Sequence, residues 1–494
     1  MTPELTTAEK INAWFEPLVE MLSAVLFWDP VAAMGIDIGA RVPLVVIWLI
    51  FGGAFFTLRM GFINIRGFRH AVGLVCGRYD KPGDHGEVSK FQALSTALSA
   101  TVGLGNIAGV AIAMAIGGPG ATLWMIMAGF FGMSLKFTEC TLGMKYRVID
   151  ENGEVSGGPM YYLRDALAKR NLKYTGKVLA FVFAVMMVVA SFGGGNMFQS
   201  NQAFSQLVYL FPPMERMGFV FGLVLALLVG IVIIGGIKSI ARVTSRIVPF
   251  MAVLYVGTSL VIIIMNIGQI GEVFSLIVRG AFSAPALKGG VIGVLITGFQ
   301  RGAFSNEAGL GSASIAHSAA KTDEPVSEGF VALLEPFIDT VIICTMTAMV
   351  IIFTGMYKNP GGLEGAPLTS AAFATVFSWF PYLLGLAILL FAFSTMISWS
   401  YYGLKGFDFL LGGFSVRLFG SKKVAAVTFQ LLFLFFIVVG ASSNLGSVID
   451  FSDMMILSLA FPNIAGLIIL APEVKKDLES YLKRLRSGEI KPCR

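Results

Sequence analysis

The chain has 494 residues, of which 56% are hydrophobic and 13% are charged, and its net charge is +6. Soluble domains carry roughly a quarter charged residues, so this composition excludes an ordinary soluble enzyme and indicates an integral membrane protein. The excess of positive charge lies mostly in loops on one side of the predicted helices, and we expect no nucleic-acid partner.

The apolar residues fall into long runs that predict transmembrane helices. A hydrocarbon core about 30 Å thick requires roughly 20 helical residues. Enough runs meet this length to predict an all-α integral membrane protein with about 11 transmembrane helices. The runs are 40–59, 91–116, 120–144, 178–211, 217–236, 244–265, 291–317, 327–354, 381–404, 424–441 and 449–471.

The charges in the loops predict the orientation. Most of the 36 Lys and Arg residues fall on one side of the predicted helices. The positive-inside rule makes this side cytoplasmic. With an odd number of spans, we expect a multi-pass protein of the cell inner membrane whose N-terminus is outside. Its C-terminus, with the basic tail 472–494, is then in the cytoplasm.

Residues 1–90 form the first predicted unit. The apolar residues between Trp14 and Leu26, with Glu16 and Glu20 among them, predict an amphipathic helix on the outer membrane surface. An ordinary leading helix packed on the protein fits the same pattern. One extra transmembrane helix, 40–59, and a basic cytoplasmic loop complete this unit.

The first interruption of an apolar run is Val102-Gly-Leu-Gly-Asn106. Irregular backbone at membrane depth is tolerated only where it lines a cavity, and glycine admits such backbone. N–H groups that begin the following half-helix suit a carboxylate, and free carbonyls near Ser99 suit a hard cation such as Na⁺. The alternative is an unbroken helix whose Thr101, Gly105 and Gly109 form a small-residue packing face.

Other polar groups follow in the first half. Lys136 and Glu139 lie three residues apart within a span, and we expect them to neutralise each other. Asn196 and Gln199 share one helix face behind the glycines 193–195. Their amides either bind a small polar substrate or hold neighbouring helices together.

The second interruption spans 296–311 and places charged and amide residues among glycines. A charge at mid-bilayer is opposed by several kcal/mol, so Arg301 and Glu307 require a cavity or a partner. The two residues either pair with each other, or one of them gates the site. Of the like-charged Glu335 and Asp339, one takes up a proton or meets Arg301.

Hydroxyl residues gather in the run 391–402. Ser394, Thr395 and Ser398 fall on or near one helix face, and their oxygens suit Na⁺. Ser and Thr also bond the carbonyls of their own helix, which is the structural alternative. The histidines, His70, His85 and His317, lie in loops or at span ends, where we expect no company of metal ligands.

The spans divide into two halves of five, 91–265 and 291–471. An odd number of spans gives the halves opposite orientations, which is the condition for an inverted-topology repeat. Residues 266–290 between them are too polar to span and predict an outer surface helix. Paired interruptions in two such halves indicate the binding site of a transporter.

Four motifs occur in order: Ser99–Gly109, Gly158-Pro-Met-Tyr161, Gly302–Ser312 and Ala392–Tyr401. In this combination the chain resembles the alanine or glycine:cation symporter family, over about residues 10–475. The resemblance implies the leucine-transporter-like fold, a 5+5 inverted repeat with broken helices and a binding site at the midplane. Here one extra N-terminal helix precedes the repeat.

The resemblance also implies roles for particular residues. The main-chain N–H groups of Leu104 and Gly105 would hold a substrate carboxylate, and the stretch from Phe299 to Asn306 would form a wall that admits only a small side chain. The full substrate-binding set is Thr101, Gly103, Leu104, Gly105, Asn106, Asn196, Gln199, Phe299, Gly302, Ser305 and Asn306. The Na⁺ set is Ser99, Val102, Phe391, Ser394 and Thr395.

We therefore expect a monomeric secondary symporter in lipid that couples Na⁺ entry to the uptake of alanine or glycine by alternating access. The alternative is an H⁺-coupled transporter of small neutral amino acids, with Glu307, Glu335 or Asp339 as the proton carrier. A passive channel is a second rival. The sequence shows no phosphate-binding loop and no nucleophile–base pair, so we expect no enzyme.

Overall fold

A computed structural model describes residues 21–493, except residues 22, 82, 152, 283–289 and 359. The predicted surface helix near the N-terminus lies largely outside the described residues. The described part is mostly helical, as predicted. Its α-helices are Pro30–Ala33, Leu44–Arg59, Ile63–Arg66, Phe68–Val75, Lys90–Thr101, Val110–Gly117, Ala121–Lys145, Pro159–Ala168, Lys173–Phe192, Phe198–Leu210, Gly218–Ile233, Gly236–Met265, Ile270–Phe282, Gly290–Asn306, Ala313–His317, Pro325–Ala332, Leu334–Pro336, Thr345–Phe353, Gly365–Ala374, Phe380–Phe407, Gly413–Phe419, Lys423–Ala441, Leu445–Ser458 and Ala460–Arg486.

Shorter elements join or interrupt these helices. The π-helical turns are Gly105–Gly109, Gly193–Met197, Phe337–Cys344 and Asp408–Gly412, and the 3₁₀ turns are Pro212–Met217 and Ile267–Gln269. The strands Val148–Ile149 and Val155–Ser156 pair antiparallel, with Val148 opposite Ser156. π-Helical turns inside α-helices occur frequently at functional sites. Two of the four lie in polar runs that the sequence singles out.

Eight helices in the described part are long and apolar enough to cross a membrane, or nine if one bent pair counts as a single span. They are Ala121–Lys145, Lys173–Leu210, Pro212–Ile233, Gly236–Met265, Pro325–Phe353, Phe380–Phe419, Lys423–Ala441 and Val448–Arg486, with the bent pair Lys90–Thr101 and Gly105–Gly117. Leu44–Arg59, with 16 residues, and the interrupted helix that begins at Gly290 are the other two predicted spans. The exact number of 11 stays a prediction.

Burial separates an inner set of helices from an outer set. The most apolar stretch of Val448–Arg486 is 78% buried, whereas that of Lys423–Ala441 is 33% buried. Gly218–Ile233 and Lys423–Ala441 expose Leu, Ile and Phe side chains such as Leu227, Ile231 and Phe435. Such faces suit lipid. The helices that carry the polar runs lie inside this apolar perimeter.

Both predicted interruptions are breaks in helices. Lys90–Thr101 starts at a capping box of Ser89 and Gln92 and ends at Val102, after which the helix resumes with a bend of 47°. We call residues 102–109, the gap and the π-helical turn that follows it, the first break. Gly290–Asn306 ends where Glu307 takes a left-handed φ of 56°, and Gly309 and Gly311 also have positive φ before the helix resumes at Ala313. We call residues 305–312, the end of this helix and the irregular stretch that follows it, the second break.

The predicted surface segment 266–290 contains the expected helix, Ile270–Phe282. Two further short helices also lie between predicted spans: Pro159–Ala168 and Gly365–Ala374. Ile270–Phe282 buries Val273, Ile277 and Ala281, which are four residues apart and so lie on one face. The division into two inverted halves stays a prediction.

Candidate substrate and cation site

The two breaks meet inside the helix bundle. A Cβ built on Gly105 would lie 3.3 Å from the Cα atom of Ser305, and a Cβ built on Gly103 would lie 2.5 Å from the Oγ1 atom of Thr395. Glycine is therefore required at position 103, and nothing larger fits easily at 105. Three elements thus converge at main-chain distance: the first break, the end of Gly290–Asn306 and the helix Phe380–Phe407.

The N–H groups of the first break bond to amide side chains. The Leu104 N–H donates to Oε1 of Gln199 at 3.1 Å, and the Gly103 N–H donates to Oδ1 of Asn106 at 2.9 Å. Gln199 in turn donates from Nε2 to the carbonyl of Gly194 at 2.8 Å. An amide oxygen has the size and acceptor character of a carboxylate oxygen. These two positions can therefore accept a carboxylate if the side chains move aside.

The hydroxyl residues lie beside the end of the first half-helix. Thr395 Oγ1 donates to the carbonyl of Ser99 at 2.8 Å, and Ser99 bonds through its own hydroxyl to that of Ser398. Ser394 donates to the carbonyl of Phe391 at 3.1 Å within its own helix. Val102 is buried here as well. The cluster offers neutral oxygen donors, the type that hard cations prefer.

Aromatic side chains and glycines form a wall around the breaks. Phe304 lies edge-on to Phe198, with their centroids 5.4 Å apart. A Cβ built on Gly194 would meet Ile456 at 2.0 Å and Phe304 at 3.4 Å, and one on Gly195 would meet the Trp399 ring at 2.3 Å. The glycines of the π-helical turn therefore let these large side chains approach closely.

Asp339 links the two breaks directly. Its carboxylate accepts from Asn106 Nδ2 at 2.6 Å, from Ser305 Oγ at 2.9 Å and from Thr340 Oγ1 at 2.7 Å. Its side chain is fully buried. Three donors suit an ionised carboxylate, since they replace water around its oxygens. The expected contact between Asp339 and Arg301 is absent among the described residues, because Arg301 pairs elsewhere.

Several expected substrate residues contact other parts of the bundle. Asn196 donates to the carbonyl of Phe433 at 2.6 Å, which matches the alternative of holding helices together. Phe299 packs against Trp124 and Phe131. The remaining members bond locally or pack as follows: Thr101 to the carbonyls of Ala97 and Leu98, Gly302 against Met125 and Ala128, and Asn306 to Thr340 and the Ala308 N–H.

The predicted pairing of Arg301 with Glu307 is wrong. Arg301 makes a two-point ion pair with Asp453, whose carboxylate also accepts from Gln300 Nε2 at 3.1 Å. Glu307 instead accepts from Trp399 Nε1 at 3.0 Å and from Ser312 Oγ at 2.5 Å. The Arg301–Asp453 pair lines a cavity of about 510 Å³ that also involves Arg41.

The expectation for Lys136 and for the histidines is also corrected. Lys136 Nζ lies 3.2 Å from Glu335 and 4.0 Å from Glu139, so it serves a wider cluster than its own helix. His317 is fully buried and contacts Glu328 at 2.6 Å and Glu335 at 2.5 Å. His317 therefore contacts two carboxylates that its neighbours in the sequence do not reveal.

Sequence reasoning missed Asp453 and Trp399, and it gave Phe304 only as part of the wall from Phe299 to Asn306. Asp453 lies inside the predicted span 449–471, and a carboxylate inside a span is the signal that could have paired it with Arg301. Phe304 stands within the third motif and Trp399 within the fourth, but nothing local distinguishes them from ordinary apolar residues. Their position depends on contacts with Gly194 and Gly195, more than 100 residues away in the chain.

Comparisons with known proteins show the family. The model of the sodium:alanine symporter family matches residues 33–493. The sodium/alanine symporter AgcS of Methanococcus maripaludis is 40% identical over 454 residues, which cover 91% of this chain and 96% of AgcS. The protein named "Probable sodium/glutamine symporter GlnT" of Bacillus subtilis is 35% identical over 448 residues, which cover 90% of this chain and 89% of GlnT.

A solved structure supports the fold. The crystal structure of MhsT in complex with L-phenylalanine matches with a TM-score of 0.50 and 16% identity, covering 80% of this chain and 100% of MhsT. This likeness concerns the fold alone, and it confirms the predicted leucine-transporter-like class. Together with the family match, it makes the protein a multi-pass membrane transporter and not an enzyme. The chain belongs to the sodium:alanine symporter family.

Proposed function

We propose that the protein couples the entry of Na⁺ to the uptake of a small neutral amino acid, alanine or glycine, by alternating access across the cell inner membrane. The observation that carries the proposal is the meeting of the two breaks beside Thr395, whose hydroxyl lies on the carbonyl of Ser99. The N–H groups that begin one half-helix, the carbonyls that end another and several hydroxyl oxygens thereby lie close together. An amino acid zwitterion beside a metal cation needs this combination.

The substrate carboxylate binds at the N–H groups of Gly103 and Leu104. Helix N-termini attract anions because their N–H groups lack partners and their dipole is positive there. In this protein the oxygens of Gln199 and Asn106 occupy these donors at 3.1 and 2.9 Å. The proposal is that the two amides turn toward the substrate when it enters, so that the donors keep partners throughout.

Na⁺ binds among Ser99, Val102, Phe391, Ser394 and Thr395. Its binding ties the helix Lys90–Thr101 to the helix Phe380–Phe407. Coupling then requires that Na⁺ and substrate each bind one conformation more tightly than the other. One charge that crosses 100 mV supplies about 2.3 kcal/mol, before the concentration gradient adds its share.

A small substrate is favoured by the wall around the breaks. Ile456 and Trp399 approach the glycines 194 and 195 so closely that a Cβ there would overlap them, and Phe304 would be in contact with a Cβ on Gly194. One relative is named for alanine and another for glutamine, so the family name alone leaves the substrate open. The packing of this wall supports alanine or glycine over glutamine.

Coupling to H⁺ is the second candidate. The observation that favours it is Asp339, a buried carboxylate that touches Asn106 of the first broken helix and Ser305 of the second. A proton on Asp339 would remove its charge and weaken both contacts. H⁺ would then replace Na⁺ as the driving ion, with a small neutral amino acid still the substrate.

Uptake into liposomes distinguishes the candidates. Purified protein is reconstituted, and labelled alanine uptake is measured under an inward Na⁺ gradient at equal pH, or under a pH gradient with choline in place of Na⁺. We expect uphill accumulation only with the Na⁺ gradient, and competition by unlabelled glycine but not by glutamine or phenylalanine. Accumulation driven by pH alone would support the H⁺ candidate. Unsaturable flux without accumulation would indicate a pore.

A further inference from the structure

A buried group of ionisable side chains lies next to the second break, outside the proposed Na⁺ site. We call it the His317 cluster: Lys136, Glu139, Glu307, His317, Glu328 and Glu335. Each of these residues is at most 2% exposed. With Lys136 charged, His317 neutral and all four carboxylates ionised, the cluster would carry a net charge of −3. Uncompensated buried charge is costly, so the cluster must hold added positive charge.

The geometry of His317 indicates where that charge is held. Its Nδ1 atom lies 2.6 Å from Oε1 of Glu328, and its Nε2 atom lies 2.5 Å from Oε1 of Glu335. A neutral imidazole has one N–H and one bare nitrogen. A bare nitrogen cannot face an ionised carboxylate at this distance, because both atoms are acceptors. Each of the two contacts therefore contains a proton, and His317, Glu328 and Glu335 together hold one proton more than neutral histidine and two carboxylates.

An orphaned polar atom points to the same conclusion. Oε2 of Glu328 is buried without a hydrogen-bond partner, whereas Oε2 of Glu335 faces Nζ of Lys136 at 3.2 Å. A carboxylate with a bare oxygen is a poor place for a full negative charge and a good one for a proton. Cys140 also has its sulfur within 4.8 Å of His317 and Glu335. The ammonium of Lys136, 3.2 Å from Glu335, opposes a metal cation at that position.

Other charged or titratable groups surround the cluster. Those that interact with it electrostatically include Arg147 with Glu328, Tyr402 with Glu307 and Glu335, Tyr162 with Glu139, Asp339 with Lys136, and Cys140 with Glu335 and Glu139. His70 lies beyond Phe330, whose ring packs on it edge-on. None of these described groups supplies a partner for the second nitrogen of His317. The extra proton is therefore held by the histidine and its two glutamates.

The cluster is joined to the second break on both sides. Glu307 accepts from Trp399 and Ser312, and Glu139 accepts from the Gly311 N–H at 3.1 Å and from Asn463 Nδ2 at 3.0 Å. His317 is the last residue of the half-helix Ala313–His317 that follows the break. Loss of the extra proton would set His317 against a carboxylate and displace the end of this half-helix.

We propose that His317, Glu328 and Glu335 form a dissociable proton site, and that its proton holds the second break in the transport-competent arrangement. The site regulates the proposed Na⁺-driven uptake and so depends on that function. The proton is a regulator here, bound away from Asp339, and it need not cross the membrane. Uptake should fall as pH rises past the titration of the site, by about tenfold per pH unit where a single proton is lost.

The test uses the pH profile of Na⁺-driven alanine uptake in liposomes, with equal pH on both sides. In Glu328→Gln, the amide can donate to a neutral His317, so both contacts survive without the extra proton. We expect its profile to vary less than about twofold over the range in which wild type falls tenfold. Glu324→Gln is the matched control: Glu324 pairs with Arg484 outside the cluster, and its variant should keep the wild-type profile.

A second measurement covers the case in which Glu328→Gln does not transport. The tryptophan fluorescence of the purified protein without Na⁺ is titrated with pH, with Trp399→Phe identifying the signal of Trp399, which contacts Glu307. We expect a one-proton transition in wild type that is lost in Glu328→Gln and in His317→Gln. A flat wild-type profile in both measurements overturns the proton site, as does a transition retained in both variants. If uptake is independent of Na⁺, the proposed function fails instead.

Discussion

At the scale of single residues, the buried ion pair of Arg301 and Asp453 is a contact whose loss should be costly. Both side chains are at most 7% exposed, and the guanidinium meets the carboxylate at two points. The free-energy cost of burying two charges is offset by their attraction only while both partners remain. The pair joins the second broken helix to the helix Leu445–Ser458 beside the cavity of about 510 Å³.

Removal of one partner should therefore be more damaging than removal of both. We expect Asp453→Asn to destabilise the protein by about 3 to 5 kcal/mol, because it leaves the Arg301 charge buried without its counter-ion. Thermal unfolding in detergent measures the effect. The double variant with Arg301→Gln should recover part of the loss. Equal stability of Asp453→Asn and wild type would mean that solvent already screens the pair.

The hydroxyl of Thr395 is the residue-scale test of the Na⁺ site. It lies on the carbonyl of Ser99 and beside Gly103, so its loss removes a ligand without opening the bundle. We expect Thr395→Ala to raise the Na⁺ concentration for half-maximal uptake about tenfold, the equivalent of about 1.4 kcal/mol. Ser394→Ala should raise it too. Thr428→Ala is the control, since Thr428 bonds only the carbonyl of Val424 and is exposed. An unchanged Na⁺ dependence in Thr395→Ala removes this residue from the site.

At the scale of elements, the contact between the two breaks is the feature on which transport depends. Gly105 and Gly109 lie in the same π-helical turn, but a Cβ at Gly105 would lie 3.3 Å from the backbone of Ser305, whereas a Cβ at Gly109 would have no heavy atom within 4 Å. We expect Gly105→Leu to abolish uptake while the protein remains folded in the membrane. Gly109→Leu should retain uptake. Size-exclusion profiles verify folding, and normal uptake by Gly105→Leu would remove the residue from the site.

The basic loop after the helix Leu44–Arg59 supplies an element-scale prediction about pH. Burial lowers the pKa of His70 in the helix Phe68–Val75 to about 4, from an ordinary value of 6.5. The folded state therefore binds fewer protons than the unfolded state between these values. Stability should be complete above pH 6.5 and fall as pH drops toward 4. Melting temperatures in detergent at several pH values measure this, and His70→Gln should lose part of the decline. If the melting temperature of the variant falls equally steeply with pH, then groups other than His70 cause the fall.

Sequence alone predicted the breaks because their cause is local. Glycines and polar residues inside an apolar run conflict with an unbroken lipid-facing helix, whatever surrounds them. The partners of the breaks were not predictable in the same way. Asp453 meets Arg301 across 152 residues of chain, and His317 meets two glutamates of a later helix. Such pairs depend on how helices are placed side by side, which hydropathy does not encode.

At the scale of the whole molecule, the fold arranges polar residues inside and apolar residues toward lipid. The helices that carry both breaks and the hydroxyl cluster are among the most buried, and Gly218–Ile233 and Lys423–Ala441 face outward. An apolar perimeter is needed because hydrocarbon offers no partner to a polar group. Motions that open the site to either side must therefore move whole helices while keeping this perimeter closed.

The orientation of the whole chain can be tested with its own cysteines. Cys76 and Cys493 are exposed, and Cys140 and Cys344 are buried. The Cys493 N–H donates to the carbonyl of Arg78 at 2.6 Å, so both exposed thiols lie on one side of the bundle. The loop charges predict that this side is cytoplasmic. A membrane-impermeant maleimide should then label inverted vesicles and leave intact cells unlabelled.

A cysteine on the opposite side gives the matched control for this labelling. Ser442 is exposed at the end of the helix Lys423–Ala441, on the predicted outer side. Ser442→Cys should add a site that reacts in intact cells, since its thiol would face the outside. Labelling of wild type in intact cells, with protection of Ser442→Cys, would reverse the orientation. Uptake in cells would then use the sides of the bundle in the opposite order, and the cavity beside Arg301 and Asp453 would open to the cytoplasm rather than to the outside.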